Sequence, residues 1–162
     1  AEAQLDRFMF DVKVDYPSFD EEVEVVRRTT VRRDQKVDKV LSGEDIIALQ
    51  NLVYCIPVPD HVYQYAVTLV RKTRKNDPQS PQYVRDWVAW GAGPRASQYL
   101  ILGAKARSIL YGRGYASVED VKAVARPVLR HRILLNFNAE AEGQTSDAVI
   151  ERLLAEVPGI EE

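Results

Sequence analysis

The stretch GAGPRASQYL, residues 91–100, opens a helix that the sequence predicts to run from Pro94 to about Tyr111. Gly93 suits the N-cap, and Pro94 suits the first helical position, where its missing N–H would have no partner in any case. Arg95 then lies in the first turn, where the helix dipole disfavours an exposed cation by about 0.3–1 kcal/mol. This arginine is therefore either a solvated surface side chain or a group that meets an anion in front of the helix.

The composition is that of an ordinary globular protein without an overall electrostatic field. The 162 residues are 46% hydrophobic and 28% charged, and 22 basic and 24 acidic side chains leave a net charge of −2. This balance gives no general attraction for nucleic acid or for an anionic membrane, and the apolar runs fall short of the ~18 residues of a membrane span. One cysteine and two histidines are too few for a zinc cluster, and we expect a cytoplasmic protein with no metal site.

A β-strand is the first element that the pattern predicts. FMFDVKVDY, residues 8–16, alternates strictly and places four apolar side chains on one face: Phe8, Phe10, Val12 and Val14. A lone strand would leave its backbone groups unpaired, and the only other strand that the pattern suggests, residues 132–138, is expected to pair with residues 54–58. We therefore expect the strand to belong to a sheet outside this chain, which would be the C-terminal piece of a larger protein.

Helices are predicted for most of the remaining chain. Capping boxes, in which a serine and an acidic residue three positions later satisfy each other's backbone N–H groups, predict three helix starts: Ser18 with Glu21, Ser42 with Asp45, and Ser117 with Asp120. The first of these helices should reach about Arg33. Asp60 is expected to cap a further helix, and the last helix should run from about Ser146 to Val157. Two prolines predict a break at residues 75–81.

Two arginines stand out by their positions, Arg95 and Arg7, which lies in QLDRF before the predicted strand. Arg7 is either a rim arginine paired with a neighbour such as Asp6 or a group that serves an anionic ligand. Cys55 is expected to be a small buried apolar residue, and Trp87 and Trp90 are expected to anchor the glycine turn to the core. His61 and His131 have no partner at a spacing that suggests a catalytic triad. The chain has no GxxxxGK[ST] phosphate loop.

Five motifs occur in an order found in one known family: AEAQLDRF, VDYPS, IPVPDHVYQYAVTLVRKTR, GAGPRAS and YASVEDVKAVARPVLRHRI. Together they span about residues 1–158 and resemble the C-terminal part of MoxR-family AAA+ ATPases. The resemblance implies a mainly α fold, with a helical-bundle lid domain in residues 18–162. Residues 1–17 would then hold the last strand of the αβα core and the arginine-finger segment. The chain departs from the family at Ala1 and Gly93, where members usually have proline and serine.

The resemblance also implies roles for particular residues. Arg7 would be the arginine finger, which reaches the γ-phosphate held by the neighbouring subunit of a ring. Arg95 would be the second sensor, which reaches the γ-phosphate of its own subunit, with Gly93 and Pro94 in the same nucleotide-binding motif. ATP and Mg²⁺ are the cofactors implied for the full-length protein, whereas the chain alone is expected to hold neither and to be inactive.

The family's partners follow from the same resemblance. It implies a homo-oligomeric ring, expected to be a hexamer, that hydrolyses ATP in a chaperone-type role, in the assembly or maturation of other proteins or the insertion of metal cofactors. A protein with a von Willebrand factor A domain is an expected partner, and neither a membrane nor a nucleic acid is. Two alternatives stay open: a helical nucleic-acid-binding module that uses the basic residues 71–75 and 126–132, and an interaction domain without an ATPase role.

Overall fold

The structure, a computed structural model, describes residues 2–32 and 37–159. Its elements follow in chain order: α1 (Glu2–Leu5), α2 (Phe19–Thr29), α3 (Gly43–Cys55), α4 (Asp60–Lys72), α5 (Gln82–Trp87), β1 (Val88–Trp90), α6 (Pro94–Leu110), α7 (Val118–Leu129), β2 (Leu134–Leu135), α8 (Phe137–Ala141) and α9 (Ser146–Glu156). The prediction of a mainly helical fold is confirmed.

The core is a helical bundle centred on α6. This helix packs against α3, α4 and α7, and both α4 and α7 also contact α9. Each of the four central helices contributes a fully buried leucine: Leu69, Leu100, Leu129 and Leu153. Burial of one such side chain contributes about 1.5–3 kcal/mol, so these contacts supply much of the drive to fold. The bundle is therefore held together by α4, α6, α7 and α9, while α2 and α3 bury no residue.

The predicted capping boxes are all present, and the helix bounds differ in two places. Each serine and its acidic partner satisfy each other's backbone groups at the starts of α2, α3 and α7. Helix α2 ends at Thr29, so the predicted extension toward Arg33 is wrong; Arg33 itself lies outside the described residues. The hydroxyls of Thr29 and Thr30 bond to carbonyls one turn back, a local bonding that competes with helix propagation. Pro59, not Asp60, is the N-cap of α4.

The predicted pairing of residues 132–138 with residues 54–58 is wrong. Strand β2 pairs antiparallel with β1, with Leu135 opposite Val88 and Leu134 opposite Trp90. Helix α5 ends at Trp87, and the chain then becomes extended and forms β1, a strand that the sequence pattern does not indicate. Strand β1 ends at Trp90, so the chain leaves this two-stranded sheet just before the first turn of α6.

The predicted N-terminal strand is not formed, and the side chains of its apolar face are exposed, with Val14 86% accessible. Several backbone groups of residues 6–13, called the N-terminal segment below, bond instead to the helical bundle. The Asp11 N–H donates to the Pro127 carbonyl at 2.8 Å, and Arg130 and Arg132 donate to carbonyls of the segment. Alternation alone cannot make a strand, because the described residues offer it no partner edge.

Two expected core positions lie at the surface. Cys55, expected to be buried, is exposed. Trp87 packs against the core as predicted, but Trp90 is 72% exposed, so only one of the two tryptophans anchors the turn. Helix α3 also keeps much of its apolar surface accessible, with Leu49 about half accessible. Among the described residues, no helix has the length and apolarity needed to cross a membrane.

Candidate functional site

Helix α6 begins where the sequence predicts. Gly93 is its N-cap, with φ −83° and ψ 178°, an extended conformation open to any residue, and Pro94 occupies the first turn. The first turn holds no acidic residue, and the side chain of Arg95 is 44% exposed there. The positive end of the helix dipole and a guanidinium group therefore lie together, an arrangement that favours an anion.

Thr73 and Arg74, at the end of α4, fix the chain just before α6. The hydroxyl of the fully buried Thr73 accepts the Ala92 N–H at 2.9 Å and donates to the Val70 carbonyl at 2.7 Å. Arg74 Nε donates to the Ala92 carbonyl at 2.9 Å. The role of Arg74 is not evident from the sequence, because the helix dipole alone is enough to explain basic residues at a helix C-terminus. The two residues clamp both backbone groups of Ala92 and so set where α6 starts.

The close approach of Gly91 to α4 completes this clamp. A Cβ atom on Gly91 would lie 2.3 Å from the carbonyl oxygen of Thr73 and 2.8 Å from the Cα atom of Arg74. Both neighbours are backbone atoms and cannot swing away as a flexible side chain could. Only glycine therefore fits here without a shift of the chain.

Arg95 is ion-paired with the N-terminal segment. Its Nη1 atom lies 2.5 Å from Oδ2 of Asp6, and the other oxygen of that carboxylate accepts from Arg132 Nε at 2.9 Å. The Asp6 side chain is 34% exposed, whereas that of Arg132 is 1% exposed. The predicted alternative in which Asp6 pairs with Arg7 is wrong, because Asp6 bonds to these two arginines instead.

Electrostatics keep this carboxylate charged. Burial by itself raises the pKa of Asp6, but the hydrogen bonds and charges of Arg132 and Arg95 outweigh burial and hold the pKa below its usual range. Burial also lowers the pKa of Arg132, although the hydrogen bond to Asp6 acts in the opposite direction and raises it. The pKa of the nearby His131 is lowered by burial and by the charge of Arg132. Neutral His131 leaves the site with two guanidinium groups and one carboxylate.

Arg7 is exposed, and its backbone is held from both sides. The Tyr99 hydroxyl donates to the Arg7 carbonyl at 2.8 Å, and Arg132 Nη2 donates to the carbonyls of Asp6 and Phe8 at 2.8 and 2.6 Å. Within residues 2–32 and 37–159 the guanidinium group of Arg7 has no hydrogen bond or ion pair. The structure therefore brings Arg7 and Arg95 to the same end of α6. The side chain of Arg95 is ion-paired with Asp6, whereas that of Arg7 is exposed to solvent.

Two cavities adjoin the start of α6. One, of about 550 Å³, lies between the end of α4 and the chain before Pro94, and Arg71, Arg74 and Lys75 line it. The other, of about 430 Å³, is lined by Asp6, His131 and Arg132. Both volumes are within the range of small-molecule sites, and three residues line both cavities: Trp90, Gly91 and Gly93. No group of three potential metal-ligating side chains occurs in the part of the chain that the structure describes.

Four of the five arginines in the two basic runs that could have lined a nucleic-acid groove are paired with carboxylates. In residues 126–132, Arg126 pairs with Glu151, Arg130 with Asp147, and Arg132 with Asp6. In the other basic run, Arg71 pairs with Asp77 at 2.8 Å. These carboxylates offset much of the positive charge of the two basic runs, so this geometry does not favour the nucleic-acid alternative.

Comparisons with known proteins agree with this architecture. Residues 82–153 match the AAA lid domain family. The chain is 38% identical over 156 residues to chaperone MoxR1 of Mycobacterium tuberculosis, a match that covers 96% of this chain and 41% of that protein. It is 34% identical to YeaC of Bacillus subtilis, with 96% of this chain and 46% of YeaC covered.

A solved structure gives the same result for the fold. The crystal structure of a candidate ATPase from Cytophaga hutchinsonii superposes with a TM-score of 0.90 at 33% identity, and the match covers 99% of this chain and 49% of that one. The chain thus spans less than half the length of the relatives that it matches.

Residues 82–153, from α5 into α9, are an AAA lid domain. The chain that carries this domain is similar to the lid portion of MoxR-type AAA+ ATPases, and the resemblance predicted from the five motifs is confirmed.

Proposed function

We propose that the full-length protein is a ring-forming ATPase whose second sensor is Arg95 and whose arginine finger is Arg7. The observation that carries this proposal is the start of α6, where a half-exposed guanidinium group lies in a helix first turn without acidic residues. A nucleotide γ-phosphate is an anion that would use both the dipole and the guanidinium group. Gly93 and Pro94 would form the backbone part of this phosphate-sensing motif.

Arg7 suits a role between subunits. Its side chain is exposed and without a partner among the described residues, while its backbone is fixed by Tyr99 and Arg132. A rigid base with a free charged end is what an arginine finger requires, since its guanidinium group stabilises charge on the transferred phosphoryl group. In well-studied GTPases such a finger contributes about 10³–10⁵ in rate.

The remaining parts of the activity would come from outside residues 1–162. ATP and Mg²⁺ would be held by a nucleotide-binding core, to which residues 1–17 would belong, with residues 18–162 as the lid domain. The ring, expected to be hexameric and cytoplasmic, would act as a chaperone in the assembly or maturation of other proteins or the insertion of metal cofactors. A protein with a von Willebrand factor A domain would be a fitting partner. The name of MoxR1, a chaperone, supports this class of role.

Arg95→Ala in the full-length protein tests the sensor role. We expect the affinity for ATPγS to fall about tenfold or more, because a charge-assisted hydrogen bond is lost, and the affinity for ADP to change little, because ADP has no γ-phosphate. Titration calorimetry with the two nucleotides measures both. Arg28→Ala, which removes an exposed arginine of α2, is the matched control. Equal losses for the two nucleotides, or no loss, would contradict the proposal.

A further inference from the structure

Asp6 bridges two arginines that differ sharply in their surroundings. Arg132 is almost fully buried and donates to the backbone carbonyls of Asp6, Phe8, Met9 and Val128 as well as to the Asp6 carboxylate. Arg95 is 44% exposed and bonds, within the described residues, to the Asp6 carboxylate alone. The bond to Arg132 is therefore part of the packing, whereas the bond to Arg95 can be exchanged at small cost.

The same end of α6 also holds the backbone of Arg7. Tyr99 lies one helical turn after Arg95, so both side chains project from the same face of the helix. Tyr99 donates to the Arg7 carbonyl at 2.8 Å, and its ring lies 5.1 Å from the guanidinium carbon of Arg132. Two consecutive residues of the N-terminal segment, Asp6 and Arg7, are thus tied to two consecutive turns of α6.

We propose that Asp6 is a positioning residue: it forms an ion pair with Arg95 when no nucleotide is bound, and the γ-phosphate displaces it from Arg95. Through Asp6 and Tyr99, the partner bound by Arg95 would then determine the position of Arg7. This inference rests on the proposed function and extends it. Nucleotide in one subunit would thereby change the finger that the same subunit offers to its neighbour. Asp6 stays on Arg132 during the exchange, so the segment is shifted and not released.

The charges favour such an exchange. One carboxylate between two guanidinium groups leaves a local excess of one positive charge, since His131 is neutral above its lowered pKa. A terminal phosphate carries more negative charge than a carboxylate and offers three acceptor oxygens, so it competes well for a half-exposed arginine. Asp6 remains ionised near neutral pH and is therefore a true competitor.

Asp6→Asn in the full-length protein tests the competition. Removal of the competing charge should tighten ATPγS binding about two- to fivefold, the range expected for an exposed ion pair, and leave ADP binding nearly unchanged. The gain should vanish in an Arg95→Ala background. Asp147→Asn is the control, because Asp147 also ties the N-terminal segment to the bundle, through Lys13, but does not contact Arg95.

Tyr99→Phe tests the link to Arg7. Loss of the hydroxyl should lower kcat of ATP hydrolysis in the ring about two- to tenfold with the affinity for ATPγS unchanged, because only the finger backbone is loosened. A fall in affinity, or an unchanged kcat, would overturn this part.

If Asp6→Asn lowers the melting temperature, the affinity for ATPγS is measured again with Asp6→Ser.

The outcomes separate this inference from the function on which it rests. If Arg95→Ala weakens ATPγS binding but Asp6→Asn does not tighten it, Asp6 is no competitor and the inference is wrong while the sensor role stands. If Asp6→Asn tightens binding equally in the Arg95→Ala background, the effect does not pass through Arg95, and the inference is again wrong. If Arg95→Ala changes neither nucleotide, the proposed function itself fails.

Discussion

At the scale of single residues, Asp120 shows how one buried carboxylate ties the last turn of α6 and the loop that follows it to the start of α7. Its side chain is fully buried and accepts from Arg107 at 2.6 Å and from Arg113 at 2.7 Å, while it completes the capping box with Ser117. Burial alone raises the pKa of Asp120, but the hydrogen bonds from Arg113 and Arg107 bring the pKa down to about 2. The charged form is thus strongly favoured in the folded protein.

Asp120→Asn should lower the free energy of unfolding by about 2–3 kcal/mol at neutral pH, because two arginines lose their charged partner. The folded pKa lies below the unfolded value, so the stability from ionised Asp120 is complete above about pH 4 and is lost as the pH falls toward 2. Urea unfolding at several pH values measures both effects. Asp86→Asn, at an exposed carboxylate, is the control. Equal acid sensitivity of the wild type and Asp120→Asn between pH 4 and 2 would contradict this assignment.

At the scale of elements, α6 depends on the end of α4 for its position. Thr73 and Arg74 bond to both backbone groups of Ala92, and Gly91 allows the backbone before α6 to contact the backbone at the end of α4. The direction of the first turn of α6, and so the place of Arg95, follows from a contact between residues 18 or 19 positions apart in the chain. A helix with an arginine in its first turn can bind an anion specifically only if the position of that turn is fixed.

Gly91→Ala should displace this start. The new Cβ would clash with backbone atoms of Thr73 and Arg74, and relief of such overpacking costs about 1–3 kcal/mol. We expect a lower melting temperature together with a loss of ATPγS affinity in the full-length protein. Gly114→Ala, where an added Cβ meets no atom within 4 Å, is the control. A Gly91→Ala protein with unchanged stability and unchanged affinity would show that the close approach is not needed.

Local signals in the sequence predict the helices well and the sheet poorly. Capping boxes and the Gly-Pro start are chemistry between near neighbours, so α3, α6 and α7 begin where the sequence indicates. The strand predicted at residues 8–16 and the partner predicted for β2 both depend on distant residues: the strand is not formed in the described residues, and the predicted partner of β2 is wrong. An alternating pattern describes what a strand looks like but not what it pairs with.

The same limit applies to the candidate site. Arg95 could be singled out because a cation in a helix first turn is locally unfavourable. Thr73, Tyr99 and Arg132 could not, since each acts through a contact with a residue far away in the chain. The roles of Arg7 and Arg95 remain predictions that derive from the resemblance to the family.

At the scale of the whole molecule, the residues of the candidate site lie at one end of the bundle. Arg7, Arg95 and the two cavities all lie near the first turn of α6. By contrast, the arginines of residues 126–132 are paired with carboxylates, which offset much of the positive charge that a nucleic acid would need. A lid that contacts nucleotide in its own subunit and offers a finger to the next would couple hydrolysis to the arrangement of the ring.

Mixed rings test the central claim most directly, because the two arginines are proposed to act on different subunits. Full-length Arg7→Ala and Arg95→Ala proteins should each form rings with little ATPase activity. When they are mixed in equal amounts, an Arg7→Ala subunit with intact Arg95 receives Arg7 from an Arg95→Ala neighbour, and random mixing should restore about a quarter of the activity. Mixtures of either variant with the Arg7→Ala/Arg95→Ala double variant should stay inactive. Mixed rings that form but recover no activity, or homogeneous Arg7→Ala rings with normal turnover, would contradict the account.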